Sequence, residues 1–390
     1  MFSPAAFPEA SDPMSQTTPS PSRLQQALDA HRAGRRLDAE ALYLDCIRQE
    51  PASRFDAMVC LALLCEQMNR LDEALKLYDL MIQANPGYGR SFSRRSLIML
   101  RRAWGAPPSP ATGAGSAVGQ IGGQIGGQIG GRIGMSGLGE MGRFGNQLLQ
   151  YAFLRLYAER HGLSAEAPDW MGRDLFDLDD PLPRGPLPVL EETEADLWGM
   201  LAGTLPAPAD RDLKGYFCGH SAGFAPFRDR FRSLFAPGRN ARTALAPAME
   251  RLGGPPGSTL VALHLRRGDF GKDQFWIAPA DWYLSWLETL WPTLSAPRLY
   301  IASDDPETLK SFGKYAPLAA ADLGPAIPGA EFLIDHMALR MADRLAISNS
   351  TFSFTAAMLN ERAPAAGFAR PDRDARALVP FDPWNAPVLL

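Results

Sequence analysis

The stretch Val261-Ala-Leu-His-Leu-Arg-Arg-Gly-Asp269 decides how this chain folds. An apolar run leads at once into a histidine and two adjacent arginines. Side chains alternate along a strand, so Leu260–Leu265 reads as a short buried strand that delivers His264, Arg266 and Arg267 to its carboxyl end. In open α/β sheets ligands bind at that end. A guanidinium is permanently charged, and its planar fork matches phosphate oxygens two at a time, so neighbouring arginines at a strand tip suit a diphosphate. An ion pair from Arg266 or Arg267 to Asp269 accounts for the same residues equally well.

The 390 residues allow two or three domains, and 46% hydrophobic with 21% charged residues is an ordinary globular composition. A net charge of −4 argues against a general nucleic-acid binder, which needs an excess of Lys and Arg on one face. Lysine occurs only at Lys76, Lys214, Lys272, Lys310 and Lys314, and Ala and Pro are abundant, as in a high-GC bacterial coding bias. Cys46, Cys60, Cys65 and Cys218 lack metal-ligand spacing, so free thiols in a reducing compartment are expected. The first 21 residues lack the basic and apolar regions of a signal peptide, and no run approaches the roughly 20 apolar residues of a membrane span. The expected location is cytoplasmic or peripheral at the inner membrane.

Working back toward the amino terminus, residues 22–104 contain an internal repeat. Gly34, Ala39, Tyr43, Ile47 and Pro51 recur 35 positions later, from 34 to 69, as Asn69, Ala74, Tyr78, Ile82 and Pro86. The apolar spacing within each unit is helical, and the proline stops the second helix. The pattern resembles the tetratricopeptide repeat. It implies two units plus a third helix near Ser91–Arg102, serving as a docking surface for a protein partner or a second copy, or as a helical cap on the next domain. Residues 105–136 turn to Pro, Ala and Gly and include a slipped Gln-Ile-Gly-Gly tract, read as a linker. Ile129 and Ile133 within Gln128–Ser136 leave room for a weak first strand.

Three further motifs follow. Gly142-Arg-Phe-Gly-Asn-Gln-Leu-Leu-Gln-Tyr-Ala152 opens a helix running toward His161, with glycines that permit close backbone approach and Asn146 and Gln147 beside free amides. Arg298–Ser303 reads as a strand leading to Ser303-Asp-Asp-Pro306, where Asp304 or Asp305 caps the next helix and the other can accept from adjacent guanine donors. After a helix opened by Asp335 and a strand at Leu345–Ile347, Ser348-Asn-Ser-Thr-Phe-Ser353 gathers hydroxyls and amides at a helix start, either as caps or as an anion site. Asp177-Leu-Asp179 reads as a solvated acidic loop.

In this order the four motifs, with the ending Val379-Pro-Phe-Asp-Pro-Trp384, resemble the bacterial α-1,2-fucosyltransferases of glycosyltransferase family 11 and the wider fucosyltransferase superfamily. The resemblance covers about 137 to 384. It implies a GT-B fold of two Rossmann-like halves, 137–250 on the acceptor side and 251–390 holding GDP-fucose. Together with the repeats the expected fold class is therefore helical repeats followed by a GT-B-type pair of α/β domains. It further implies an inverting transfer of fucose to a hydroxyl of a glycan acceptor, a galactoside in α-1,2 linkage, with no metal and no cofactor.

By the same resemblance, His264 would contact the nucleotide, Arg266 the β-phosphate, and Arg267 a phosphate or a structural carboxylate. Asp304 or Asp305 would read guanine, Ser350 and Thr351 would cradle the pyrophosphate, and Asn146 and Gln147 would face sugar or acceptor. Arg266 and Asp269 are the candidate catalytic residues, Asp269 as general base or as the group that locks an arginine. Three departures from the family pattern stand out: Phe352-Ser-Phe-Thr355 in place of paired tryptophans, Arg143 in place of a small residue, and the slipped tract in place of the first strand. They keep open another GDP-sugar donor, or a catalytically degenerate scaffold that binds a GDP-sugar and uses its repeats for protein interaction.

Overall fold

The computed structural model describes residues 22–105, 130–271 and 275–390. The expected tail at 1–21 and most of the expected linker lie outside the described residues. Two compact units divide between Leu77 and Tyr78.

The smaller unit is built of helices α1 (Arg23–Arg32), α2 (Arg36–Gln49) and α3 (Arg54–Gln67), and the division falls within α4 (Leu71–Ala84). The sequence repeat reappears in the backbone. Gly34 and Asn69, paired by the offset, both take a left-handed conformation (φ 74° and 57°) just before α2 and α4. Glycine does so freely, and asparagine is among the few side chains that tolerate it. Ala39, Tyr43 and Ala74 are fully buried, as their helical spacing requires.

In the larger unit the order is α5 (Gly89–Trp104), β1 (Arg132–Gly134), α6 (Phe144–His161), β2 (Ser164–Glu166), α7 (Met171–Phe176), β3 (Val189–Glu191), α8 (Leu197–Ala202), β4 (Arg211–Lys214), α9 (Arg228–Leu234) and α10 (Arg239–Gly253). There follow β5 (Thr259–Leu265), α11 (Ala280–Leu290), β6 (Pro297–Ser303), α12 (Ala320–Leu323), α13 (Leu333–Arg340), β7 (Arg344–Ala346), α14 (Thr351–Met358), β8 (Phe368–Asp372) and β9 (Ala377–Pro380). Among the described residues the strands form two sheets, ordered β2-β1-β4-β3 and β6-β5-β7-β8-β9, parallel throughout except for β9 at one edge.

β5 is buried on both faces, as a strand inside a parallel sheet must be. Its period of two sorts the side chains: Leu260 and Ala262 enter the apolar core shared with α6, α13 and α14, while Val261, Leu263 and Leu265 pack with Tyr283 and Leu287 of α11. His264 therefore faces α14. The chain moves from β5 outward to β6 and then returns to β7 on the opposite side, so the strand order reverses beside β5. Such a reversal opens a crevice at the carboxyl ends of the strands, where His264 and Arg266 arrive.

β1 confirms the strand suspected around Ile133, which is fully buried and pairs with Ala165. The first sheet thus begins at Arg132, ahead of the expected start at 137. Helix α5, expected as the third helix of the repeats, packs on the α/β region. Its first residue, Gly89, lies so close to the Gly142 carbonyl that an added Cβ would stand 2.1 Å from that oxygen. Ser93 accepts from the Gln147 amide at 2.6 Å, and Arg101 pairs with Asp169 and Asp174.

Asp177 and Asp179 are exposed in a loop, as expected, whereas Asp174 and Asp180 on either side of them are buried. Asp180 is buried and accepts from Tyr151 and Arg155, Asp174 is buried beside Arg101, and Asp177 accepts from the Arg239 amide at the start of α10. Arg101 and Arg155, distant in sequence, supply the cations that let Asp174 and Asp180 leave water.

Gly145 stands where α6 meets α14. A Cβ there would lie 2.5 Å from both the Phe352 nitrogen and the Thr351 carbonyl carbon, atoms of fixed backbone. Gly145→Ala is expected to cost about 1–3 kcal/mol through overpacking. Gly253→Ala, in open space at the end of α10, should be neutral or slightly stabilising. Denaturant midpoints of the two variants check the contrast.

Candidate functional site

The four motifs, spread from Gly142 to Ser353, meet through direct contacts. From β5, the His264 ring reaches across the strand reversal, with Nδ1 hydrogen-bonded to the Ser348 hydroxyl beyond β7 at 2.7 Å. From the same strand tip, Arg266 extends one guanidinium nitrogen to Asp304 at 2.7 Å and another to Asp269. From the glycine motif, Arg143 donates to the second oxygen of Asp269 at 2.5 Å. The glycine motif and the serine motif touch through Gly145 and Thr351–Phe352.

Asp304 does more than pair with Arg266, because it also accepts from the backbone amide of Arg267 at 2.7 Å. Its neighbour Asp305 is the cap, accepting from Glu307 at 3.1 Å at the start of a 3-10 helix over Pro306–Tyr315. The alternative left open in the sequence thus resolves in favour of Asp305 as cap. The Arg267 guanidinium turns back to the Arg266 carbonyl at 3.2 Å and is half-buried. Three guanidiniums, Arg143, Arg266 and Arg267, stand among three carboxylates, Asp269, Asp304 and Asp305, so the cluster is close to charge balance.

Ser350 is the cap of α14, its hydroxyl accepting from Phe352 at 3.3 Å, and Thr351 opens the helix. Ser348, Asn349 and Ser350 are all buried. The Asn146 amide lies directly over the Gly142 backbone and is half-buried. Gln147 is fully enclosed, donating to Ser93 and the Gly142 carbonyl, so its side chain braces the glycine turn against α5 instead of facing a cleft. Helical spacing could not have shown this, because α5 lies more than 40 residues upstream.

Asp269 is held below the usual carboxylate range: burial pushes it up, and the charges of Arg143 and Arg266 outweigh that push. A carboxylate clamped by two guanidiniums is a weak proton acceptor, so this geometry favours the locking role over the base. Arg143 appeared in the sequence only as a departure from the family motif. That charge among glycines was the available signal.

Beneath these groups, Phe352 packs against His264, His336 and Phe144, with ring centroids 5.3, 5.1 and 6.5 Å away. Burial, and then the charges of Arg266 and Arg267, drive His264 down to about 3. Burial, and then Arg340 and His264, drive His336 well below its ordinary value. Both rings are therefore neutral at physiological pH. Beside them Asp335 bonds the Tyr300 hydroxyl at 2.6 Å, and burial raises its carboxyl to about 6.

A concavity of about 400 Å³ lined by Gly131, Arg132, Arg184 and Asp210 lies at the amino ends of β1 and β4, away from this cluster. There Arg132 and Arg184 are both held by the buried Glu166. Among the described residues no group of three or more His, Cys, Asp or Glu is placed to hold a metal, and no helix is long and apolar enough to cross a membrane.

Among solved structures the chain is similar to the NodZ α-1,6-fucosyltransferase co-crystallised with GDP, with 15% identity, a TM-score of 0.43, and 65% of this chain and 96% of that chain covered. It is likewise similar to the selenomethionine fucosyltransferase NodZ from Bradyrhizobium, with 15% identity, a TM-score of 0.43, and 65% and 97% covered. For NodZ soaked with GDP-fucose the TM-score is 0.40, with 15% identity and coverage of 65% and 97%. No family model matches the chain, and no curated protein matches it.

The histidines give the site a pH signature. Each has a folded pKa below the unfolded value near 6.5, so on acidification the unfolded chain takes up protons the folded chain refuses. Stability should fall as pH drops below about 6.5, by up to about 1.4 kcal/mol per pH unit for each histidine. Asp335 acts in the opposite sense: its folded pKa near 6 lies above the unfolded 3.8, so it restores stability as pH falls through 6. With two groups against one, denaturant midpoints should decline from pH 7.5 to 5.5, and the decline should be shallower in His336→Gln.

Proposed function

We propose that this chain transfers fucose from GDP-fucose to a hydroxyl of a glycan acceptor. The observation that carries the reading is the convergence of four motifs at the strand reversal beside β5, with Arg266 at its centre. Sequence resemblance selects the motifs, and their physical meeting gives them one shared task. Linkage to a galactoside in the α-1,2 sense, inversion at the anomeric carbon and independence of metal belong to this proposal, as does a cytoplasmic site of action.

In this reading the bond from the anomeric carbon to the β-phosphate oxygen breaks, and the bond to the acceptor oxygen forms on the opposite face. The electron pair leaves with GDP, and the acceptor's proton passes to solvent or to the departing phosphate. Negative charge grows on the β-phosphate, and a fixed guanidinium aimed at it stabilises that change without reorganising. Arg266 is suited to this because Asp304 and the packing of its guanidinium over the Phe270 ring, 5.2 Å away, fix its orientation. His264, neutral and tied to Ser348, offers hydrogen bonding without competing for the anion. A loose, dissociative path asks little of a base, and this reading assigns none.

A second reading, a GDP-sugar-binding scaffold without turnover, is favoured by one feature: both arms of the Arg266 fork are occupied by carboxylates. The helical repeats would then serve a protein partner or a second copy. A GDP-release assay with GDP-fucose and a panel of galactosides, run with and without EDTA, separates the two. Turnover is expected to survive EDTA and to fall about 100-fold in Arg266→Ala, since losing one such donor typically costs about 3 kcal/mol. GDP binding without release of sugar would establish the scaffold, and absence of GDP binding would overturn both readings.

A further inference from the structure

Asp269 holds two guanidiniums from opposite halves of the α/β unit, and these are groups a diphosphate would seek. Arg143 belongs to the glycine motif of the first half, while Arg266 belongs to the strand tip of the second. Each takes one oxygen of the same carboxylate. We propose that Asp269 is an internal counter-anion that an incoming diphosphate displaces, and that the exchange hands Arg143 to the ligand as a second guanidinium from the facing half. This deepens the GDP-sugar reading and rests on it, because it names how that site recognises the diphosphate.

Three observations say why Asp269 gives way and Asp304 does not. Asp304 is tied twice, to Arg266 and to the Arg267 amide at 2.7 Å, so releasing it would strand a backbone donor as well as a charge. Asp269 is held by side chains only and sits on an exposed turn, where a released carboxylate regains water at little cost. Glycines at 268 and 271, with φ of 20° and 112°, flank it, and the second is a conformation that glycine adopts readily.

Charge sets the direction of the exchange. Arg143 and Arg266 are balanced by Asp269 and Asp304, so when Asp269 turns out to water the two guanidiniums and Asp304 are left with a net charge of +1 for the ligand to neutralise. A diphosphate brings at least two negative charges and several acceptor oxygens, and it can satisfy both forks at once. A nucleoside monophosphate reaches the cluster with less charge and no second phosphate.

The test is calorimetry on the full chain with GDP, GMP and inorganic pyrophosphate, applied to wild type, Asp269→Asn, Arg143→Gln and the double variant. Removing the internal competitor should tighten GDP and pyrophosphate about tenfold in Asp269→Asn and leave GMP nearly unchanged. Arg143→Gln should weaken GDP about fivefold or more, again sparing GMP, and should cancel most of the gain in the double variant. GDP bound equally or more weakly by a folded Asp269→Asn would overturn the exchange while leaving the GDP-sugar reading intact. Pyrophosphate bound more tightly by Asp269→Asn, with no GDP bound by any variant, would support the exchange and overturn the GDP-sugar reading. Should Asp269→Asn resist purification, Arg143→Gln decides alone: an unchanged ratio of GDP to GMP affinity would show the tie to be merely structural.

Discussion

The close approach of α6 and α14 at Gly145 is the constraint on which the site depends. Helices whose starts are separated by ordinary side chains stand 8 to 10 Å apart at their axes, and polar groups at their ends then face different spaces. Without a Cβ at position 145 the start of α6 lies directly on the Thr351–Phe352 backbone. That contact fixes the glycine motif of one sheet against the serine motif of the other. It places Arg143, two residues before Gly145, within reach of the arginine loop. Phe144, one residue before, is driven into the aromatic group around Phe352 and His336, which fills the space beneath the charges.

Electrostatics then works on a frame already set by packing. The cluster mixes guanidiniums that cannot lose their charge with carboxylates that hold them apart, over two histidines that burial keeps neutral. Neutral rings beneath a cationic surface matter because a protonated His264 would add repulsion where Arg266 and Arg267 already crowd. The Ser348 bond gives the ring a partner without giving it a charge. Anion affinity is thereby concentrated in groups whose protonation does not change near neutrality.

Much of this was legible in the sequence, and what was not has a common cause. β5 follows from a continuous apolar run, α6 from its helical period, and the hairpins around Gly34 and Asn69 from a fixed offset, because each signal is local. Asp305 as a cap was one of two local possibilities. The burial of Asp174 and Asp180 was not legible, since the arginines that make it tolerable, Arg101 and Arg155, reach them only after folding. Gln147 misled for a similar reason: a polar residue beside a ligand motif looks like a ligand contact until a distant serine is found against it. Arg143 was visible as an oddity, but its partner Asp269 lies 126 residues away, and no periodicity spans that distance.

The way α5 is seated has a practical consequence for dividing the chain. Composition suggests cutting at the glycine tract, which would free the α/β region from everything before it. Such a cut would strip Gln147 of Ser93, leave Asp169 and the buried Asp174 without Arg101, and uncover the Gly142 turn that presents Arg143. The smallest autonomous piece carrying the site therefore has to begin upstream of Gly89.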